Sequence, residues 1–476
     1  MTTHRITLEE EHADLIDASL AEAEQLIGVW LRRDVHGPVN YEPISAHDIR
    51  RWALFSTGDD NPLFTSEEYG RRGPYGTMIA QPTFLYTIDS TIVAPGLPGV
   101  QWIHGGNSWE FFRPVRVGDT IRAQARLRSV EEKRGKHVPR FLIQVGEVLF
   151  HNQHDQLVGR SLCRILRVPR ARSGQGLKGF EPRAELPVYS AEQIDEIARA
   201  YADEQRRGAE PRYWEDVNIG DAIGPLVKGP LTMVDIVAFY AGRRYVYPPL
   251  KLAFEQRRSH PANVYTSRVT GIPMHPAAGH FDPEIAKEIG MPGAYDQGFM
   301  RVNWISHLLT NWSGDHAWIS RLDVSNRLPN VVGDTCWCEG SIVAKSRKGP
   351  RAEVECELWA RNQRGERVSR GTATVLLSSR EVGPVASAAL PFAVAAQEAA
   401  GQAEGTLLCG NWITALTCAH RTRSRVPPIP ARCRSPRSAT PRERCATVSW
   451  PSALGHGPVG TRTTVCRSWW SPRGRA

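Results

Sequence analysis

The stretch Arg113-Pro114-Val115-Arg116-Val117-Gly118-Asp119-Thr120 returns as Leu328-Pro329-Asn330-Val331-Val332-Gly333-Asp334-Thr335, with Pro, Gly, Asp and Thr each displaced by 215 positions. Asn152-Gln153, which precedes a β-rich run to Val168, returns as Asn362-Gln363 before a run to Leu377, an offset of 210. Two similar offsets in the same order indicate a duplicated domain of ordinary size. Either copy can therefore be used to align the other.

The bulk composition limits the class of protein. A chain of 476 residues has room for two or three domains. Its 41% hydrophobic and 23% charged residues are typical of a soluble globular protein. No run of 18 apolar residues predicts a membrane span, and the acidic N-terminus lacks the features of a secretory signal. We therefore expect a cytoplasmic protein.

The basic charge belongs to one end of the chain. The net charge is +9, but residues 421–476 hold twelve arginines and a single acid, Glu443. The remaining 420 residues therefore carry a net charge of −2. We expect residues 381–476 to be a disordered, low-complexity tail rich in Arg, Pro and Ser. No specific nucleic-acid partner is expected, since such a tail binds phosphates without sequence selectivity.

The chain divides into five segments. We expect an N-terminal helical segment over 1–34, a first repeat over 35–168, a linker with a helix over 169–211, a second repeat over 212–380, and the tail over 381–476. The linker helix is expected near Ala191–Ala202, and Ser45 is a plausible cap for the first helix of the first repeat.

Each repeat has the order helix, turn, helix and four strands. The second helix is expected over Gln81–Val93 in the first repeat and over Gly298–Trp312 in the second. The strands are expected at 100–112, 119–131, 139–150 and 157–168, and again near 316–327, 334–345, 352–361 and 367–377. A long helix on a curled antiparallel sheet is an α+β architecture.

The cysteines indicate packing, not metal binding. Cys336 and Cys338 flank Trp337 on an expected strand, so their side chains face the same side. No second Cys or His cluster stands at zinc-site spacing. The sequence also shows no phosphate-binding loop and no dinucleotide-binding glycine pattern, so no metal or redox cofactor is expected.

An offset of 216 aligns the turns that precede the long helices. Gly58-Asp59-Asp60-Asn61-Pro62-Leu63-Phe64 then falls on Met274-His275-Pro276-Ala277-Ala278-Gly279-His280. Ile79-Ala80-Gln81-Pro82 falls on Tyr295-Asp296-Gln297-Gly298. The first of these turns resembles the signature of MaoC-like (R)-specific enoyl-CoA hydratases and dehydratases, Gly-Asp-x-Asn-Pro-x-His. His280-Phe281-Asp282-Pro283-Glu284, followed by Gly290-Met291-Pro292-Gly293 and Gly298, resembles its continuation.

The resemblance covers nearly all of residues 35–380 and is strongest to double hotdog acyl dehydratases with a dehydratase-like N-terminal half. It implies two tandem hotdog domains related by a pseudo-twofold axis, each a long helix wrapped by a curled antiparallel sheet. In that family an Asp and a His hold the water that adds to an enoyl thioester, and the N–H of a helix-start glycine polarises the thioester carbonyl. This chemistry needs a base for water and a donor for the developing oxyanion.

Each half departs from the family pattern. The first half has Asp59 and Asn61, but Phe64 stands at the His position and Pro82, which has no N–H, at the Gly position. The second half has His280 and Gly298, but His275 stands at the Asp position. Either Asp59 and His280 form one composite site, or catalysis stays in the C-terminal half. In the second case His275, Asp282 or Asp296 takes the role of the missing Asp, and the N-terminal pocket holds the acyl chain. We favour the second arrangement.

The resemblance implies a hydro-lyase that interconverts a trans-2-enoyl-CoA and a (3R)-hydroxyacyl-CoA. Coenzyme A or acyl carrier protein would enter only as part of the substrate. A thioesterase and an inactive acyl-CoA-binding subunit that completes a partner dehydratase are the rival functions. Asn61 and Asp296 are candidate substrate-binding residues. Lys251, Arg257 and Arg258 could meet the phosphates of coenzyme A or form a solvated loop. The chain could be a monomer, a homodimer or part of a heteromeric dehydratase.

Overall fold

A computed structural model describes residues 17, 20–35, 42–96, 100–134, 140–169, 186–243, 250–259, 264–267, 270–288 and 291–385. Most of the expected N-terminal segment and of the tail, together with part of the linker, therefore lies outside the described residues. Residues 381–385 belong to the fold, since Ser379 pairs with Gly383 and Val385 is buried against the core. No helix among the described residues is long and apolar enough to cross a membrane.

One antiparallel sheet of ten strands forms the frame of the molecule. Its strands are β1 (Trp30–Val35), β2 (Val100–Phe111), β3 (Arg122–Lys133), β4 (Phe141–His151), β5 (Leu157–Pro169), β6 (Ala222–Lys228), β9 (Trp318–Asn326), β10 (Cys336–Lys348), β11 (Arg351–Asn362) and β12 (Arg367–Leu376). A separate short pair comprises β7 (Tyr265–Thr266) and β8 (Pro273–Met274). The eight strands predicted for the two repeats are all present, within a few residues of their expected bounds.

The helices lie between and beside these strands. They are α1 (Ala46–Arg51), α2 (Pro62–Thr65), α3 (Glu67–Arg72), α4 (Ala191–Ala202), α5 (Met233–Gly242), α6 (Leu250–Ser259), α7 (Pro283–Glu288) and α8 (Gly298–Ser313). A π-helical turn extends α1 over Trp52–Thr57, and 3₁₀ turns cover Pro82–Thr87, Trp214–Asp216 and Pro276–His280. The predicted helices at Ala191–Ala202 and from Gly298 are confirmed.

The strand order reveals the internal symmetry. It reads β1-β3-β4-β5-β2-β9-β12-β11-β10-β6, so each strand of the first repeat mirrors its counterpart in the second. β2 and β9 pair at the centre, from Gly106 opposite Ser325 to Glu110 opposite Arg321. The two repeats therefore share one continuous sheet, related by a pseudo-twofold axis between β2 and β9.

The repeated sequence motif has a repeated structural role. The amide nitrogen of Gln153 donates to Asp119 over 3.0 Å, and that of Gln363 donates to Asp334 over 2.8 Å. Each glutamine oxygen also accepts the backbone N–H of the threonine that follows the aspartate, at 3.1 and 3.0 Å. In the first repeat these hydrogen bonds join the turn before β3 to the turn after β4, and in the second repeat they join the turn before β10 to the turn after β11. This shared role explains why Gly-Asp-Thr and Asn-Gln recur.

Matching caps also begin the first helix of each repeat. The Ser45 hydroxyl accepts the N–H of Asp48, whose carboxylate accepts the N–H of Ser45, which confirms the predicted cap. Thr232 and Asp235 form the same reciprocal capping box at the start of α5.

The long helix predicted over Gln81–Val93 is wrong. Only Pro82–Thr87 is helical, as a 3₁₀ turn, and residues 89–96 form no regular secondary structure. The buried carboxylate of Asp89 binds the guanidinium of Arg32 on β1 through two bonds of 2.8 and 3.0 Å and accepts the N–H of Thr91, whose φ is +62°. The buried Arg32–Asp89 ion pair and the left-handed backbone at Thr91 fix a non-helical conformation here, although the local apolar sequence favours a helix.

β1 also replaces part of the expected N-terminal helical segment. Trp30–Val35 pair with β3 and lengthen the sheet by one strand. The border of the first repeat thus lies before Val35 in the fold, while the other segment borders stay predictions. Cys336 and Cys338 are buried on one face of β10 and are free, as are Cys163 and Cys356.

Gly106 lies where β2 approaches β9 too closely for a side chain. A Cβ at this glycine would lie 1.9 Å from the carbonyl oxygen of Val324, and its φ is +128°. We predict that Gly106→Ala destabilises the protein by about 3 kcal/mol or more, because backbone strain adds to a steric clash. The midpoint of urea unfolding measures the effect.

Gly118→Ala is the matched control. Gly118 also has a positive φ, +93°, but an added Cβ would meet no atom within 4 Å. Its expected cost is the conformational strain alone, about 1–2 kcal/mol. Equal unfolding midpoints for the two variants would contradict the tight central junction.

Candidate functional site

The turn that carries Asp59 begins where a helix is forced to end. Gly58 closes the π-helical turn in the left-handed region with φ +65°. The Asp59 side chain that follows is fully buried. One of its oxygens, Oδ1, accepts the N–H of Asn61 at 2.9 Å, and Oδ2 accepts a hydrogen bond from the amide of Gln81. Asp59 is thereby held by groups of its own repeat.

His307 brings the helix of the other repeat to this carboxylate. Its Nε2 lies 3.5 Å from Asp59 Oδ1 and 3.4 Å from Glu204 Oε1, and its Nδ1 lies 2.9 Å from Lys228 Nζ. Lys228 also donates to the carbonyl of Thr57 over 3.0 Å. Burial lowers the pKa of Lys228, while the carboxylates of Glu204 and Asp59 act in the opposite direction. We call Asp59, Glu204, Lys228 and His307 the buried polar cluster.

Asn61 docks the same turn onto the end of α8. Its Oδ1 accepts the N–H of Leu63 at 2.9 Å, and its Nδ2 donates to Asp315 over 3.1 Å. The Tyr69 hydroxyl donates to the other oxygen of Asp315 over 2.7 Å. Asn61 is a helix cap followed by Pro62, and it is 1% exposed. Its side-chain groups are thus engaged in structural hydrogen bonds.

The partners of Asp59 on α8 were not predicted from the sequence. Their sequence signal is a row of polar residues in a largely apolar helix, spaced by four: Asn303, His307 and Asn311. Residues at this spacing share one helix face. α8 is buried at every residue except Thr310, so its polar side chains need partners inside the protein.

His280 lies in the equivalent turn of the second repeat, at the end of the 3₁₀ turn Pro276–His280, and is half-buried. Its Nδ1 is 3.0 Å from the carbonyl oxygen of Tyr295. A carbonyl can only accept, so Nδ1 carries the proton and Nε2 of the neutral ring has the free lone pair. Desolvation lowers the pKa of His280 to about 4, against the opposing effect of hydrogen bonds to the backbone at Tyr295 and Asp296. The ring is therefore a neutral base at pH 7.

His275, which the alignment places at the Asp position, has a structural role as a cap, and its catalytic role stays a prediction. Its Nδ1 accepts the N–H of Ala277 at 3.1 Å, and Pro276 follows it. It is therefore the cap of its turn, as Asn61-Pro62 is in the first repeat. Because Nδ1 accepts, the neutral ring carries its proton on Nε2. His275 can donate from Nε2, whereas His280 can accept there.

Asp296 supports the backbone next to the helix start. Its N–H donates to the carbonyl of Asn330 over 2.9 Å, as that of Ala80 donates to Val115 over 2.8 Å. Its buried carboxylate lies 2.9 Å from Arg301 Nε. Burial raises the pKa of Asp296 to about 7, although Arg301 acts to lower it. The carboxylate thus faces Arg301 of α8.

Gly298 begins α8 at the contact between the two repeats. A Cβ at this position would lie 2.4 Å from Nδ1 of His104 on β2 and 2.6 Å from Nδ2 of Asn326 on β9. Nδ2 of Asn326 also donates to the Gly298 carbonyl over 3.2 Å. Only glycine fits this space. The Gly298 N–H has no acceptor among the described residues and lies at the positive end of the helix dipole.

The candidate residues thus fall into separate groups. Asp59 and His280 have no hydrogen-bond or ion-pair partner in common among the described residues, and a composite site of the two stays a prediction. Lys251 and Arg258 are exposed on α6, and Arg257 lies over the ring of Phe254 at 4.6 Å. Lys251 makes an exposed ion pair with Glu255. The role of this basic cluster in binding coenzyme A stays a prediction.

Residues 27–160 match the family described as FAS1-like, dehydratase domain region. The 3-hydroxybutyryl-CoA dehydratase of Methylorubrum extorquens is 31% identical over 91 residues, which are 19% of this chain and 57% of that enzyme. The (R)-specific enoyl-CoA hydratase of Rhodospirillum rubrum is 35% identical over 80 residues, 17% of this chain and 55% of the relative. The chain spans little more than half the length of these relatives.

A solved structure of a MaoC-like dehydratase shares the fold. It superposes with a TM-score of 0.51 at 17% sequence identity, over 75% of this chain and 100% of that one. The resemblance to MaoC-like dehydratases and the double hotdog fold are both confirmed. The first repeat differs from the expected hotdog domain, because its central helix is reduced to a 3₁₀ turn.

The buried polar cluster predicts that Asp59 stabilises the junction between the repeats. We expect Asp59→Ala to lower the free energy of unfolding by about 3–5 kcal/mol, because it removes one of the two carboxylates that oppose the charge of buried Lys228 and takes away the acceptor of the buried Gln81 amide. Urea unfolding followed by tryptophan fluorescence measures the change. Asp60→Ala is the control: Asp60 is exposed, pairs with Arg206 and should contribute little. Equal unfolding midpoints would contradict this role of Asp59.

Proposed function

We propose that this double hotdog protein, whose N-terminal region is FAS1-like, catalyses the reversible hydration of trans-2-enoyl-CoA to (3R)-hydroxyacyl-CoA in its C-terminal repeat. The observation that carries the proposal is that this repeat holds both a histidine with its proton fixed on Nδ1 and a helix-start amide that has no acceptor among the described residues. The relatives named as a 3-hydroxybutyryl-CoA dehydratase and an (R)-specific enoyl-CoA hydratase support this class of reaction.

His280 acts as the general base. Nε2 takes a proton from water while the water oxygen bonds to the β-carbon of the enoyl thioester. The proton then passes from the imidazolium to the α-carbon, so that one water is added and the base is regenerated. Dehydration follows the same steps in reverse. A single base suffices because the proton that it removes can be the one that it returns.

Gly298 stabilises the enolate that forms between these two proton transfers. Negative charge develops on the thioester oxygen as the C–O bond forms at the β-carbon. The Gly298 N–H, at the N-terminus of the 16-residue helix α8, would donate a hydrogen bond to this oxygen. A donor that is held in place by the contact of Gly298 with His104 and Asn326 needs no reorganisation during the reaction.

The N-terminal repeat supplies no equivalent pair. Asp59 is engaged by Asn61, Gln81 and His307, and Pro82 has no N–H at the helix start. His275, as a cap with its proton on Nε2, would donate a hydrogen bond to the attacking water, not act as a second base. These observations favour catalysis in the C-terminal half over a composite site.

The reaction is tested with purified protein and crotonyl-CoA. Hydration removes the enoyl absorbance without releasing free thiol, and we predict that His280→Ala lowers kcat/KM by about 10²–10⁴-fold. His154→Ala, in the exposed turn after β4, is the control and should keep full activity. Thiol release would instead indicate a thioesterase. Activity only with a co-purified dehydratase would indicate an inactive subunit, and full activity of His280→Ala would refute the assignment.

The pH profile of kcat/KM tests the state of the base. A base works only when deprotonated, so activity should persist below pH 6 and fall as the pH drops through about 4, the pKa of His280. A free histidine would lose activity near its ordinary pKa of about 6.5. Far-UV circular dichroism at each pH excludes unfolding as the cause. An acid limb centred near pH 6.5 in folded protein would contradict the desolvated ring.

A further inference from the structure

Arg243 is a buried cation that has no counter-ion among the described residues. Four arginines are buried among the described residues: Arg32, Arg167, Arg243 and Arg301. Arg32 pairs with Asp89 and Arg301 with Asp296, while Arg167 donates to Gln144 and to two backbone carbonyls. Arg243 is 8% exposed and donates only from Nε, to the carbonyl of Tyr86 at 3.4 Å. Its Nη1 and Nη2 have no hydrogen bond or ion pair to the described part of the chain.

Such an arrangement is costly unless a ligand completes it. A desolvated charge normally has a counter-charge and a full set of hydrogen bonds. A guanidinium presents two parallel N–H groups that fit a carboxylate. The outer edge of the Arg243 guanidinium is therefore suited to an anion that the described residues do not supply.

Arg243 lies beside the proposed reaction centre. Its guanidinium is 5.0 Å from the ring centroid of Phe299, the residue after Gly298. It ends α5, one helical turn after Tyr240, whose ring packs at 4.9 Å on that of Phe281, next to His280. The Tyr86 carbonyl that it contacts belongs to the shortened 3₁₀ turn of the first repeat. Arg243 thus lies where the reduced N-terminal helix faces the start of α8.

We infer that Arg243 binds a carboxylate at the far end of the acyl group, so that the substrate is a coenzyme A monothioester of a short unsaturated dicarboxylic acid. This inference rests on the proposed function for the position of the thioester at Gly298. The phosphates of coenzyme A are a second source of anions, but the pantetheine arm separates them from the thioester. Arg243 contacts Phe299, which follows Gly298, so it is near the thioester and therefore near the acyl group and not the phosphates.

The test compares binding of two saturated thioesters that cannot react. Glutaryl-CoA and pentanoyl-CoA have acyl groups of equal carbon number, and only the first ends in a carboxylate. Titration calorimetry with the full-length protein should give an affinity for glutaryl-CoA that is about tenfold to hundredfold higher, as expected for a charge-assisted hydrogen bond. Arg243→Met should abolish this preference and leave pentanoyl-CoA binding unchanged, while Arg243→Lys should keep part of it.

Arg321→Met is the control, since Arg321 is exposed on β9 and should not alter either affinity. Equal affinities of the unmodified protein for the two thioesters would overturn the inference, even if Arg243→Met does not fold. Arg243→Met could instead weaken binding of both coenzyme A esters while binding the matching pantetheine thioesters as tightly as the unmodified protein does. That result would assign Arg243 to the phosphates and also overturn the inference. Hydration of crotonyl-CoA in the same preparations reports separately on the proposed function, because that substrate carries no carboxylate.

Discussion

The pairing of β2 with β9 is the constraint on which the rest of the molecule depends. It joins two five-stranded halves into one sheet and brings the end of each central strand to the opposite repeat. His104 on β2 and Asn326 on β9 both reach the first residue of α8. The helix start that we assign to the thioester oxygen is therefore built by both repeats, although its glycine belongs to only one.

The two repeats share the same frame but differ in the segments before and within their central helices. Both retain the Asp-Gln turn, the capping box and the docking of the segment before the helix onto the neighbouring turn. The first repeat has exchanged its long helix for a 3₁₀ turn and an Arg32–Asp89 ion pair, and its Asp59 turn has become an attachment to α8. Arg243 lies between this shortened turn and the start of α8, since it contacts the Tyr86 carbonyl and the Phe299 ring.

Local signals in the sequence predicted most of the frame. The duplication, the strands, the cap at Ser45 and the helices at Ala191 and Gly298 are all encoded by neighbouring residues, and they are found as expected. The Gln81–Val93 helix failed because Asp89 and Thr91 are fixed by residues distant in sequence. The partners of Asp59, and the lack of a counter-ion for Arg243 among the described residues, likewise depend on contacts between the repeats. A single sequence does not show such contacts. The alignment matched His275 to the Asp position, whereas the backbone places it as a cap, and its catalytic role stays a prediction.

The most direct measurement of the central claim follows oxygen from labelled water. The protein is incubated with crotonyl-CoA in H₂¹⁸O, and the products are resolved by mass spectrometry. Hydration at the His280 and Gly298 site predicts one ¹⁸O in the acyl group of an intact 3-hydroxybutyryl-CoA, bonded to the β-carbon. Label in the carboxylate of a free acid, together with released coenzyme A, would contradict the account and assign the site to thioester hydrolysis.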